Sequence, residues 1–257
     1  MSKKQTSILI TNDDGIYAEG IYHLKKALQG LGKITVVAPL VEKSAVGHAI
    51  TLSDPLRVME IDRYGEFFGY AVNGTPADCV KIGGRCILED KPDIVVSGIN
   101  QGSNTGMNII YSGTVSAAAE GIIMNIPSVA ISLTSYTKKE FAYSRKIARR
   151  VTSEVLNHGL PDGTLINVNV PAVKEKEIEG VVVTRQGKGR FEEAFDRRED
   201  PNKRTYYWLT GKRMLLDNDE DVDDVVIHKN MVSITPIHYD LTNYRFLEEL
   251  KTGKLGP

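Results

Sequence analysis

Ser7–Gly15 reads SILITNDDG, and the fold turns on this stretch. The short apolar run Ser7–Thr11 stops at Asn12, two adjacent carboxylates (Asp13 and Asp14) and a glycine. Such a run, bounded by turn residues, reads as a buried strand entering a loop. Immediately downstream, Glu19–Leu31 places Ile21, Leu24, Ala27, Leu28 and Leu31 at helical spacing, with Gly30 and Gly32 near its end. Ile34–Ala38 (ITVVA) is a second buried strand, stopped by Pro39. A β-α-β unit of this kind implies a parallel strand pair joined by a right-handed crossover.

Working outward, Leu40–His48 is a long polar loop, and Leu56–Ile61 and Phe67–Val72 read as two strands, arranged as a hairpin. Thr75 is positioned to cap a helix whose first residue is Pro76. Ile94–Ser97 is a strand that runs into a Gly- and Asn-rich loop, Gly98–Gly113. The spacing predicts a helix over Thr114–Met124, a strand over Val129–Leu133, a long helix over Lys138–Asn157 and a strand over Leu165–Val170. Strands alternating with helices give an α/β fold, a mostly parallel sheet with helices on both faces. After Pro171 the pattern changes. Residues 172–221 are charged and less periodic, and GKGRFEEAFDRRED resembles an exposed arm or β-hairpin. MVSITPI then reads as a final strand and Tyr244–Leu250 as a short helix. The expected organisation is a core over residues 1–171 and a smaller C-terminal portion over 172–257.

Composition narrows the function. The 257 residues carry a formal net charge of −1, with 41% hydrophobic and 25% charged residues. That balance speaks against a partner such as a nucleic-acid duplex, which wants a basic excess. It leaves room for a small phosphorylated ligand, which needs only local positive potential. Cys79 and Cys86, on one helical face, would lie roughly 10 Å apart along the axis, too far for a disulfide. They read as two buried thiols in a reducing cytosol. The N-terminus has no apolar run of signal-peptide length, and no segment approaches the ~18 apolar residues of a membrane span. A cytoplasmic protein without a membrane partner is expected.

In an open parallel sheet, ligands bind beyond the carboxyl ends of the strands. After the first strand come Asp13 and Asp14, whose mutual repulsion a bound cation would relieve; the alternative is an Asx turn that caps the next helix. After the second strand, Ser44 offers a neutral oxygen, or simply faces solvent. After Ile94–Ser97 come Asn100, Asn104 and Asn108, then Ser112-Gly113-Thr114 opening a helix of small residues. That start makes an anion site from N–H groups and helix dipole, or a plain N-cap. The loop is not a phosphate loop of the Gly-Lys-Ser/Thr type, and it lacks dinucleotide glycine spacing. Carboxylate, hydroxyl and amide oxygens together suit a hard cation, Mg²⁺, Mn²⁺ or Ca²⁺. A hard cation beside an anion-binding helix start equips a site for phosphoryl transfer to water.

The motifs ILITNDDG, SAVGHAITL, NGTPADCV, KPDIVVSGINQGSNTG and YSGTVSAAAEG, in this order, resemble the stationary-phase survival protein SurE family, 5′/3′-nucleotidases. The C-terminal VSITPIHYDLT is similar too. The resemblance implies a Rossmann-like core, with a smaller C-terminal portion that exchanges elements between subunits in a homodimer or homotetramer. It implies one divalent cation per subunit (Mg²⁺ or Mn²⁺) on Asp13, Asp14, Ser44 and Asn100. The phosphate of a nucleoside monophosphate would lie near Asn104, Ser112, Gly113 and Thr114, with His48, Asn73 and Thr75 bordering the nucleoside. One departure, Leu40–Lys43, bears on base preference and rate rather than on the reaction.

The reaction so implied is hydrolysis of 5′- and 3′-monophosphates by a metal-bound water, with Asp13 and Asp14 as catalytic residues, one of them orienting that water. His48 and His238 are both candidates for the general acid. Two further readings differ in class: an aspartyl-phosphate enzyme with Asp13 as nucleophile, and a nucleotide-binding sensor without turnover. A nicotinamide oxidoreductase is disfavoured by the missing glycine fingerprint. The arm over residues 185–221 reads either as a solvated hairpin or as a dimer-forming extension that covers Tyr206, Tyr207 and Trp208.

Overall fold

The apolar run that follows the basic start becomes a strand next to the centre of a nine-stranded sheet. The structure is a computed structural model and describes residues 5–253; residues 1–4, on which the basic start falls, and 254–257 lie outside them. β1 (Ser7–Thr11), α1 (Glu19–Leu28) and β2 (Lys33–Pro39) form the expected unit, with Ile8 opposite Ile34 in parallel register. α1 ends earlier than Leu31, because Gly30 adopts φ +83° just beyond it and turns the chain out of the helix. β3 (Val58–Arg63) and β4 (Glu66–Val72) are the expected hairpin. α2 (Pro76–Ile82) continues into a π turn, Gly83–Ile87.

β5 (Ile94–Gln101) runs past the expected end at Ser97, resuming its pairing with Asn100 opposite Ser132 on the next strand. A short 3₁₀ turn, Gly106–Tyr111, follows within the expected loop. Then come α3 (Gly113–Ile123), β6 (Ser128–Leu133), α4 (Phe141–His158) and β7 (Thr164–Val170). The C-terminal portion holds β8 (Gly180–Val183), β9 (Arg190–Glu199), β10 (Thr205–Met214), α5 (Asp223–His228), β11 (Met231–His238) and α6 (Tyr244–Thr252). β8 and α5 carry no sequence signal of their own. Four and six residues are too few to show a period, and β8 buries neither face.

The strand order is β3-β4-β2-β1-β5-β6-β7-β11-β8, with β9 and β10 forming a separate ribbon. β11 adds antiparallel to β7, and β8 parallel to β11. The hydrophobic contacts show why β1 reads as continuously apolar. Ile8 and Ile10 pack with Ile21 and Leu24 of α1 and Val151 of α4. Leu9, on the opposite face, packs with Cys79 and Val80 of α2 and Ala117 of α3. Alternate residues of a strand point to opposite faces, so a strand covered on both sides must be apolar throughout. Cys79 is buried in this second cluster, but Cys86 is exposed on the π turn, which corrects the expectation of two buried thiols.

The chain leaves β1 to one side for β2 and returns on its other side for β5. The crevice beyond the carboxyl ends of β1 and β5 is therefore the topological switch point.

Thr75 caps α2 as its sequence suggests. Its Oγ1 accepts the Asp78 N–H at 3.1 Å, and Asp78 Oδ2 accepts the Thr75 N–H at 2.9 Å. The same hydroxyl donates to Ala49 O at 2.7 Å, holding the 44–51 loop against the helix. Thr75→Ala should lower stability by about 1 kcal/mol, measured as a shift in the urea midpoint, with Thr75→Ser close to wild type.

Candidate active site

Three elements meet at the switch point. At the end of β1, Asn12 Nδ2 donates to Gly15 O at 2.9 Å and closes the turn. Asp13, 4% exposed, accepts the Thr114 hydroxyl on Oδ1 at 2.5 Å, which ties β1 to the first turn of α3. Asp14 Oδ2 accepts the Gln101 N–H at 3.2 Å, which ties β1 to β5. Lys43 N–H donates to Asp13 O at 2.7 Å and brings the loop after β2 to the same place. Gly113 is a glycine for steric reasons, since a Cβ there would lie 2.7 Å from Asp13 Cβ and 2.9 Å from its Oδ2.

The electrostatics are adverse as they stand. Burial pushes the Asp13 carboxyl above its ordinary range, against the opposing hydrogen bond from Thr114. Burial and the neighbouring Asp13 charge push Asp14 up to about 7. Glu42 adds a third negative charge acting on both, and Ser44 Oγ donates to it at 2.7 Å. Two apposed carboxylates with a hydroxyl and an amide nearby form a hard donor set, and a divalent cation would reverse the penalty. Asn100 commits its amide nitrogen to Gly102 O at 2.8 Å, so the oxygen is the end available to a cation. Among the described residues, no group of three or more His, Cys, Asp or Glu side chains gathers as a metal site. A cation here would draw on the neutral oxygens of Ser44 and Asn100 as well.

A cavity of about 590 Å³ opens beside these groups; Asp13, Ser44, Asn100, Asn104 and Ser112 line it, and Asp14, Gly113 and Thr114 do not. Asn104 is fixed from below: its N–H donates to Asn169 Oδ1 at 2.8 Å, and its carbonyl accepts Asn167 and Asn169 Nδ2 at 2.8 and 3.0 Å. Its side-chain Nδ2 donates to Ser132 Oγ at 2.8 Å. Ser112 caps α3 by accepting the Val115 N–H at 3.1 Å. The first-turn donors of Gly113 and Thr114 have no carbonyl partner within the helix.

Asn108, which the sequence also offers, lines the cavity with Ser103; Tyr111, Tyr136, Phe191, Glu193 and Leu209 line it too, and sequence reasoning singles out none of these five. Tyr136 follows β6 at the same carboxyl edge, so the strand-end rule applied to one more strand would have found it. Phe191, Glu193 and Leu209 come from the β9-β10 hairpin, which has no local signal linking it to β1.

His48, Asn73 and Thr75 are not among the residues lining that cavity. His48 Nε2 pairs with Glu120 Oε2 at 3.0 Å, and Lys81 Nζ donates to Glu120 Oε1 at 2.6 Å. Burial alone would raise the Glu120 carboxyl, but His48 and Lys81 outweigh it and hold it below the ordinary range. Asn73 accepts the Arg57 N–H at 2.7 Å and donates to Pro55 O at 3.3 Å. His48 thus ties its loop to α3, Asn73 ties two loops together, and Thr75 caps α2. His238 pairs opposite Thr164, the first residue of β7, at the other edge of the sheet from Asp13.

The sequence profile described as Survival protein SurE matches residues 8–193. A relative from Chlorobaculum tepidum, described as 5′-nucleotidase SurE, is 48% identical over 96% of this chain and 94% of its own length. Another from Syntrophobacter fumaroxidans, with the same description, is 50% identical over 95% of this chain and 97% of its own. The crystal structure of SurE protein from Aquifex aeolicus superposes with a TM-score of 0.83 at 42% identity, covering 95% of this chain and 98% of that one. A profile match over most of the chain and near-full-length relatives agree with the motifs and the sheet: this chain belongs to the SurE family.

Proposed function

We propose that the protein is a cytoplasmic, divalent-metal-dependent phosphomonoesterase that hydrolyses nucleoside 5′- and 3′-monophosphates to nucleoside and phosphate. One observation carries this reading: Asp13, Ser44, Asn100 and the Asn104–Ser112 loop line one cavity, in a chain whose relatives are described as 5′-nucleotidases. The core over residues 1–171 supplies the chemistry, and residues 172–257 supply part of the cavity wall and the contacts between subunits.

Asp13, Asp14, Ser44 and Asn100 would hold one Mg²⁺ or Mn²⁺. Bound there, the cation supplies acidified water and neutralises charge on the phosphoryl group. Asp13 is held in one orientation by the Thr114 hydroxyl, so it fixes geometry. Asp14, tied instead to the Gln101 N–H at 3.2 Å, would be the one that orients the water. Because the Thr114 hydroxyl points its proton at Asp13, the phosphate oxygens would rely on Asn104, Ser112 and the N–H groups of Gly113 and Thr114. Tyr111, Tyr136, Phe191 and Leu209 offer flat and apolar surface to the nucleoside. His48, Asn73 and Thr75 would act by setting the loops around it.

The β9-β10 ribbon leaves Tyr207, Trp208 and Leu209 each more than half exposed. A second copy covering it would remove that surface from water, as a homodimer or homotetramer with exchanged C-terminal elements does.

Purified protein should release phosphate from AMP and GMP with Mn²⁺ or Mg²⁺ and stop in EDTA. Asp13→Asn should lower kcat by roughly a hundredfold or more with its circular dichroism unchanged; wild-type turnover in that variant, or a metal-indifferent rate, would remove the assignment. The raised Asp14 pKa gives a pH signature. Between its ordinary value of 3.8 and about 7 the folded carboxyl keeps a proton that the unfolded chain has lost. The metal-free protein should therefore lose stability as pH rises through that window. Mn²⁺ should raise Tm more at about pH 8 than at about pH 5. Light scattering should report a dimer or tetramer, and Trp208→Asp should shift it toward monomer.

A further inference from the structure

The substrate loop is held from above as well as from below. Asp224, at the start of α5, is 2% exposed. Its Oδ1 accepts the Thr105 hydroxyl at 2.6 Å and the Nη2 of Arg213, which stands on β10. Arg213 also donates from Nη1 to Ser103 Oγ and from Nη2 to Thr105 Oγ1. Neighbouring Asp223 accepts the N–H groups of Gly106, Gly187 and Asp224 at 3.0, 2.8 and 2.8 Å. Two backbone carbonyls finish the seam, with Met107 N–H on Gly189 O at 2.8 Å and Gln186 Nε2 on Gly106 O at 2.9 Å.

The segment so gripped needs outside support. It is flanked by Gly102 at φ +116° and Gly106 at φ +57°, so neither end has a side chain to restrict it. Ser103 and Asn104, between them, line the cavity. The hairpin is bound into the same unit, because Arg213 lies directly opposite Phe191 in the β9-β10 register, and Phe191 lines the cavity too. A planar guanidinium has several donors in fixed directions. One such group holds two hydroxyls and a carboxylate in a set arrangement, which an ammonium does not.

We infer that Arg213 and Asp224 are positioning residues for the hydrolysis: together they set the Ser103–Thr105 segment against the phosphate and Phe191 against the nucleoside as one rigid unit. The inference rests on the nucleotidase reading, but its structural half can be measured without turnover.

The test uses the full chain with Arg213→Met, which keeps the stem and removes the donors, beside Arg213→Lys and the near-isosteric Asp224→Asn. Two readouts apply, kinetics on AMP with Mn²⁺ and amide hydrogen exchange without substrate. Arg213→Met should lower kcat/KM by about tenfold to a hundredfold, with Mn²⁺ affinity within about twofold of wild type. Exchange should quicken at Gly106 and Met107 and stay unchanged in β1 and β5. Arg213→Lys should recover part of the rate, and Asp224→Asn should show the same exchange pattern. Should Arg213→Met fail to fold, Arg213→Lys and Asp224→Asn decide the matter by the same measures. Wild-type rates and wild-type exchange in folded variants would overturn the inference, and so would parallel loss of Mn²⁺ affinity, which marks general collapse of the site. A wild-type protein that releases no phosphate would sink the nucleotidase reading instead, leaving the exchange data to judge the brace alone.

Discussion

Two carboxylates that cannot separate set the terms for this molecule. Asp13 and Asp14 are consecutive, partly or fully buried, and acted on by each other and by Glu42, all of one sign. The two sit in the bend just past β1 and reach different neighbours. Asp13 meets Thr114 at the start of α3, and Asp14 meets Gln101 at the end of β5. Each contact offsets part of the burial penalty and also docks an element. Gly113 belongs to the same constraint, because any side chain there would collide with Asp13.

Beneath that point the sheet provides the stiffness. β1 is covered by α1 and α4 on one face and by α2 and α3 on the other, so its end cannot drift without disturbing both clusters. The loop after β5 is fixed by polar contacts instead. Asn167 and Asn169, two positions apart on β7 and thus on one face, reach up to the Asn104 backbone. Buried polar groups satisfied in this way specify a single arrangement rather than adding much net stability.

Family membership and geometry answer different questions. A fold of this class hosts many chemistries, and the relatives supply the reaction by description only. The geometry adds how this chain is equipped: which element each carboxylate is tied to, and which helix start lies beside them. It also shows that His48 pairs with Glu120 on α3, that Asn73 bonds to Pro55 and Arg57, and that Thr75 caps α2.

The sequence by itself determined the local elements and the strand-end residues. SILITNDDG, the Thr75-Pro76 helix start and the small-residue opening of α3 are encoded within a few residues, where period, turn chemistry and capping act. It also marked an exposed arm after Pro171, which became the β9-β10 hairpin. Only the tertiary structure decided which distant groups meet. Thr105 and Asp224 are 119 positions apart, and Ser103 and Arg213 are 110 apart. The same holds for the hairpin side chains in the cavity wall, for short β8 and α5, and for the exposure of Cys86. Contacts over such separations leave no periodic trace in a single chain, because they depend on where the sheet carries each loop and not on the loop's own residues.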